Sequence, residues 1–212
     1  DDISDARSEL PHKVPPDEKF MSSMRAMGVG DGHQIVVYDG MGIFSSARVW
    51  WLFRLMGKRD VAVLDGGFAK WIAEGRETED LPPVIRDRHM TVSRQNHLVK
   101  DVTQVAMASK LGDWEIVDAR PGERFRGDAP EPREGMRSGH IPGSRNVPFT
   151  DLLNEDKTMK GADEIRAVFT AAGVDLSKPV ITSCGSGVAA AVLSLALERI
   201  GKTDHARYDG SW

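Results

Sequence analysis

The chain has 212 residues, 40% hydrophobic and 28% charged, a composition that suits a globular protein of one large domain or two small ones. A net charge of −4 leaves no basic footprint for nucleic acid, and the apolar runs are broken by charge too often for a membrane span. One cysteine excludes an intramolecular disulfide, and His12, His33, His89, His97, His140 and His205 include no close pair at metal-ligand spacing. In chain order, Ile35-Val36-Val37-Tyr38-Asp39-Gly40 predicts a buried strand running into a glycine turn, Ser46 to Met56 a helix closed by Gly57, and Val61 to Gly67 a second strand and turn. Residues 81–97 open on Leu81-Pro82-Pro83, carry few apolar side chains and read as a linker. The next domain should begin near Leu98, with its first strand at Trp114 to Asp118 and a proline- and charge-rich loop over 120–139. A helix at about 163–172, a strand at Val180 to Ser183, a helix at Ala189 to Ile200 closed by Gly201, and a strand entering Tyr208-Asp209-Gly210 complete the chain.

The two halves repeat one another. Gly57 is as far from Gly201 as Asp65 is from Asp209, and strand, glycine loop, helix, Gly-Lys and Asp-Gly turn recur in the same order with one residue of insertion. Strand–helix–strand alternation implies parallel sheets with right-handed crossovers. The expected division is residues 1–80, a linker at 81–97, and residues 98–212. The first half has no counterpart of Ile116 to Gly143, and the chain stops at Trp212 just after a turn, so a chain shortened at both ends is the expectation.

The single thiol lies between a strand and a helix, in Cys184-Gly185-Ser186-Gly187-Val188-Ala189. Two glycines permit tight turns, and successive backbone amides at a helix N-terminus make a nest for negative charge. Such a nest favours a nucleophilic thiolate, or a persulfide, over an inert buried thiol. A Cys-X5-Arg phosphatase would need arginine six places on, where this chain has Ala190.

This loop resembles the active-site loop of rhodanese-like sulfurtransferases, within them most closely that of the 3-mercaptopyruvate sulfurtransferases. Ser45 to Trp51, Leu64-Asp65-Gly66-Gly67, Gly139-His140-Ile141-Pro142-Gly143 and Tyr208-Asp209-Gly210-Ser211-Trp212 resemble the same family, so the likeness covers essentially the whole chain. It implies an α/β fold of two rhodanese-like domains, each a central parallel sheet flanked by helices, the first incomplete at its N-terminus and inactive, because Asp39 or its neighbour stands where the second has Cys184. The resemblance further implies that Cys184 carries the sulfur and that Ser186 works in a Ser-His-Asp relay whose other two members precede this chain, His12 being no adequate match. By the same resemblance Arg124 and Arg133 bind the substrate's carboxylate and keto oxygen, and Gly185, Gly187 and Val188 help to frame it. Arg120 and Arg126 are expected to be structural or paired within the protein, and Ala189 stands where the family has threonine. No organic cofactor is implied. The implied partners are a small-molecule sulfur donor and a thiol acceptor such as thioredoxin or a small thiol. The neutral side chains of residues 185 to 189 argue against thiosulfate as donor, and retention of the cysteine argues against a non-catalytic binding module. A lone reduced thiol without a recognisable signal favours the cytoplasm.

Overall fold

The computed structural model describes residues 2–210 and Trp212; the expectations attached to Asp1 and Ser211 lie outside the described residues. In the first half α1 (Asp17–Ala26) precedes β1 (Ile35–Val37), α2 (Ser45–Leu55), β2 (Val61–Val63) and α3 (Gly67–Ala73). The second half holds β3 (Val99–Lys100), α4 (Val102–Leu111), β4 (Glu115–Asp118), α5 (Gly122–Arg126), β5 (Arg145–Asn146), α6 (Ala162–Ala171), β6 (Val180–Ser183), α7 (Val188–Arg199) and β7 (His205–Tyr208). Strands β1 and β2 pair in parallel, and the larger sheet is all parallel in the order β3-β7-β6-β4-β5. The central strand β6 is buried along its length, as a strand covered on both faces must be.

Two details correct the sequence reading. The second sheet starts at β3, before the Trp114–Asp118 segment, in a strand too short to show periodicity. The loop at 120–139 contains α5, one turn and a half ended by Gly127 at φ +83°. Residues 81–97 run without regular structure until a 3-10 turn at Asn96–Leu98, yet they dock on the first half. There the amides of Ser93 and Gln95 donate to the carbonyls of Met56 and Leu55, Thr91 bonds to Asp31, and Met90 is buried.

Helices α2 and α7 form the seam between the halves. Helix α7 is almost entirely buried and rich in alanine, because it lies between its own sheet and α2 and close approach on both sides needs small side chains. One continuous core runs from Phe20, Trp51 and Leu52 in the first half to Val117, Phe169 and Leu193 in the second. Polar ties cross the same seam: the Met159 amide donates to Asp65, and Arg54 pairs with Glu198 at 3.3 Å. The two halves therefore hold a common cleft in place rather than hanging from a flexible joint.

Candidate active site

Strand register identifies the residue that stands opposite the cysteine in the repeat. Ile35 pairs with Val61 as Val180 pairs with His205, and β2 and β7 are the matching strands of the two units. Asp39, not its neighbour, is thus the counterpart of Cys184. Its carboxylate accepts from the amides of Met41, Phe44 and Ser46 at 2.8–2.9 Å. Burial raises the Asp39 carboxyl, but the Ser46, Phe44 and Met41 hydrogen bonds outweigh it and hold the group below its ordinary range. The first loop is a nest filled by its own side chain.

In the second loop the cradle holds sulfur. Cys184 follows the last residue of β6, and its Sγ lies 2.9 Å from the Gly187 amide nitrogen. Gly187, at φ +79°, is the residue before the first turn of α7, so the amide dipoles of that turn converge near the thiol. A Cβ on Gly187 would come within 2.3 Å of Arg207 Nη1, so a larger residue there would have to displace that guanidinium and strain a positive φ. The Cys184 carbonyl accepts from the Trp212 amide, which anchors the loop's start.

Cys184 is only 2% exposed, yet it lines a cavity of about 270 Å3 together with Gly185, Ser186, Ala189, Arg124, Arg133, Glu131 and Met136. Phe44 reaches this cavity from the first half and stands 5.2 Å from Phe149, ring centre to ring centre, so both halves wall it. The expected site residues Cys184, Ser186, Arg124, Arg133 and Gly185 are brought together. Gly187 and Val188 are not in the wall: Gly187 turns its amide to the sulfur from behind, and Val188 is buried in the first turn of α7.

The arginines are not equivalent. Arg124, on α5, gives its Nε and Nη2 to Glu131. Arg120 is buried and bonds to Asp118, Glu131 and the Gly139 carbonyl, which makes it structural. Arg126 pairs with Asp128 in solvent. Two guanidiniums therefore face two carboxylates, and the cluster is electrically neutral. Arg133 bonds through Nη2 to the Gly185 carbonyl at 2.6 Å and through Nε to Met136 Sδ, and pairs with no carboxylate among the described residues. It is the uncompensated positive charge of the cavity wall. His140, from the Gly-His-Ile-Pro-Gly segment, stacks on Phe125 at 3.8 Å and engages the Phe125 carbonyl, pinning the helix that carries Arg124.

Glu131 was not singled out from sequence, although it sits between the arginines in the same proline-rich loop. Burial pushes its carboxyl up, and the Arg124 and Arg120 hydrogen bonds with their charges more than reverse that, leaving it below its ordinary range. A depressed folded-state value contributes stability above the unfolded carboxyl's pKa of about 4.3, and that stability is lost as pH falls through the folded value. Glu131→Gln should cost about 3 kcal/mol in denaturant unfolding at neutral pH, the low end for breaking a buried pair, since Arg120 keeps Asp118. The difference between parent and variant should shrink below about pH 4. A variant as stable as the parent at neutral pH would remove Glu131 from the framework of the site.

Behind the cysteine loop stands a second group of cations that sequence reasoning missed. Arg48 on α2 and Arg207 on β7 are buried and lie against the Trp51 ring, with Cζ 5.2 and 3.8 Å from its centre. Arg48 donates to the His12 carbonyl at 2.8 Å. Burial, and then the charge of Arg48, lower the His12 imidazole, with Arg207 and Arg133 acting in the same direction; this histidine therefore borders the cationic side of the site. The sequence signal for Arg48 was present in the Ser45-to-Trp51 segment, but nothing in a linear reading places it beside residue 184.

Comparison with known proteins agrees with this geometry. The profile of the rhodanese-like domain matches residues 5–74 and 101–212. The chain is 41% identical to thiosulfate/3-mercaptopyruvate sulfurtransferase 1, mitochondrial, of Arabidopsis thaliana, over all of this chain and 62% of that protein. It is 40% identical to the 3-mercaptopyruvate sulfurtransferase of Escherichia coli K12, over 99% of this chain and 74% of the relative. Against the human protein of that name the identity is 37%, over 100% and 72%. The crystal structure of SseA from Escherichia coli superposes with a TM-score of 0.90 at 38% identity, covering 99% of this chain and 78% of that one. The chain thus spans between about three fifths and four fifths of the length of these relatives.

Proposed function

This chain belongs to the rhodanese family as a tandem rhodanese-like protein, and on that footing we propose that it is a sulfurtransferase that takes sulfur from 3-mercaptopyruvate onto Cys184. The observation that carries the reading is the cavity in which the cysteine, a neutral loop and the Arg133 guanidinium, paired with no carboxylate among the described residues, meet. A guanidinium fork suits a carboxylate, and a cavity of about 270 Å3 suits a three-carbon acid. With the carboxylate on Arg133 and Arg124, the donor's sulfur is directed at Sγ.

The Cys184 thiolate attacks that sulfur. An S–S bond forms, the carbon–sulfur bond breaks, and its electron pair leaves on carbon as the pyruvate enolate, which takes up a proton. The amides around Gly187 stabilise the negative sulfur, and Ser186 in the cavity wall is the group proposed to hand on the proton. A thiol acceptor, thioredoxin or a small thiol, then attacks the outer sulfur and releases the Cys184 thiolate, giving ping-pong kinetics.

A second donor has support of its own. The Arabidopsis relative's name carries thiosulfate beside 3-mercaptopyruvate, and the chain is 39% identical to the thiosulfate sulfurtransferase of Bos taurus. The loop at 185–189 has no cation for a dianion, which favours the monocarboxylate. Intact mass after exposure to each donor decides: a gain of one sulfur atom, faster with 3-mercaptopyruvate, is expected. Gain with thiosulfate alone would transfer the assignment to that donor, and gain with neither would sink the sulfurtransferase reading.

A further inference from the structure

Arg207 is the most unusual side chain near the cysteine. It is fully buried on β7, with Trp51 packed against its guanidinium. Its Nη1 donates to the Gly187 carbonyl at 2.7 Å and its Nη2 to Asp209 at 2.6 Å, so one planar fork joins the cysteine loop to the strand beside it. The fit is interlocked, since the space a Cβ on residue 187 would need is filled by that same Nη1. Gly187 is also the residue whose amide faces the sulfur.

Among the described residues the local charges do not balance without the sulfur. Arg48 and Arg207 are both buried here, and each has an Nε without a hydrogen-bond partner among those residues. The described carboxylate at hand, Asp209, is shared with Lys13 at 3.1 Å. Burying like charges with so little compensation is unfavourable unless an anion completes the set. The sulfur of Cys184 faces the same Gly187 that Arg207 holds, and a thiolate or a persulfide there would be that anion.

We propose that Arg207 is a positioning residue for sulfur transfer: from behind the loop it holds Gly187 in the conformation that aims its amide at the Cys184 sulfur, and it supplies buried positive charge that stabilises the anionic sulfur. This rests on the sulfurtransferase reading for its purpose, but the effect on Cys184 is measurable without any sulfur donor. Arg207 does not line the substrate cavity, so its loss acts on the sulfur and not on donor binding.

The test uses the whole chain as Arg207→Met and Arg207→Lys. Alkylation of Cys184 by iodoacetamide at one neutral pH should slow about tenfold in R207M, with R207K between it and the parent, since lysine keeps the charge but loses the two-pronged clamp. Turnover of 3-mercaptopyruvate should show kcat lowered by a similar factor and KM within about twofold. A role confined to stability would lower the melting temperature while leaving alkylation of the folded protein unchanged. Alkylation at the parental rate in R207M, or in R207K should R207M not fold, overturns the proposal. A parent that alkylates normally yet takes up no sulfur overturns the sulfurtransferase reading instead, and the alkylation comparison still decides Arg207.

Discussion

Cys184→Ser is expected to take up no sulfur from any donor, with turnover lost by at least about four orders of magnitude, the scale on which removal of a covalent nucleophile acts. The chain has one cysteine, so no second thiol can take over. A serine hydroxyl is scarcely ionised near neutrality and is a poor nucleophile toward sulfur, and the amide facing Sγ would bond to the hydroxyl without making it one. The fold should survive: the change is nearly isosteric, the Gly187 amide keeps an acceptor, and stability should stay within about 1 kcal/mol of the parent. Intact mass with both donors, beside a denaturant melt, reads both quantities. Sulfur uptake by folded C184S would mean that the sulfur is held other than as a cysteine persulfide, and would overturn the assignment of the nucleophile.

The second large effect belongs to Arg133. Arg133→Leu should raise KM for 3-mercaptopyruvate roughly 10- to 100-fold, the range for losing a charge-assisted hydrogen bond to a carboxylate. Alkylation of Cys184 by the neutral reagent iodoacetamide should change much less than KM, because the Gly187 amide that faces the sulfur is kept while the Gly185 carbonyl loses its partner. Arg124→Leu should act more weakly on KM, since the charge of Arg124 is already met by Glu131. The order of the two variants is the discriminating result: Arg124 exceeding Arg133 would show that the neutral cluster opens when substrate binds. Some loss of stability in the Arg133 variant is expected, as the Gly185 carbonyl loses its partner, and a melt separates that from the kinetic effect.

Much of this arrangement is legible along the chain. The repeat of strand, glycine loop, helix and Asp-Gly turn follows local rules of periodicity and capping, and those rules place α2, β6 and α7 to within a residue or so. The cysteine loop is local in part: two glycines before a helix permit an amide nest. Strand β3 is not legible, because two residues have no period and pair only because β7 lies alongside. Nor is α5, a helix of five residues whose hold on position is the stacking of Phe125 on His140.

The amino-acid sequence by itself carried the duplicated α/β plan, which rests on residue type and short-range spacing, and through its likeness to a known family it pointed to the proposed nucleophile and arginines that meet in one cavity. Tertiary structure alone decided what surrounds them. It made Asp39 the counterpart of Cys184 through strand register, neutralised Arg124 through Glu131 while leaving Arg133 unpaired, and set Arg48 and Arg207 behind the loop. The reason is physical: burial and pairing of charge depend on which elements pack together, and Trp51 of one half lies against Arg207 of the other only because α2 packs on α7.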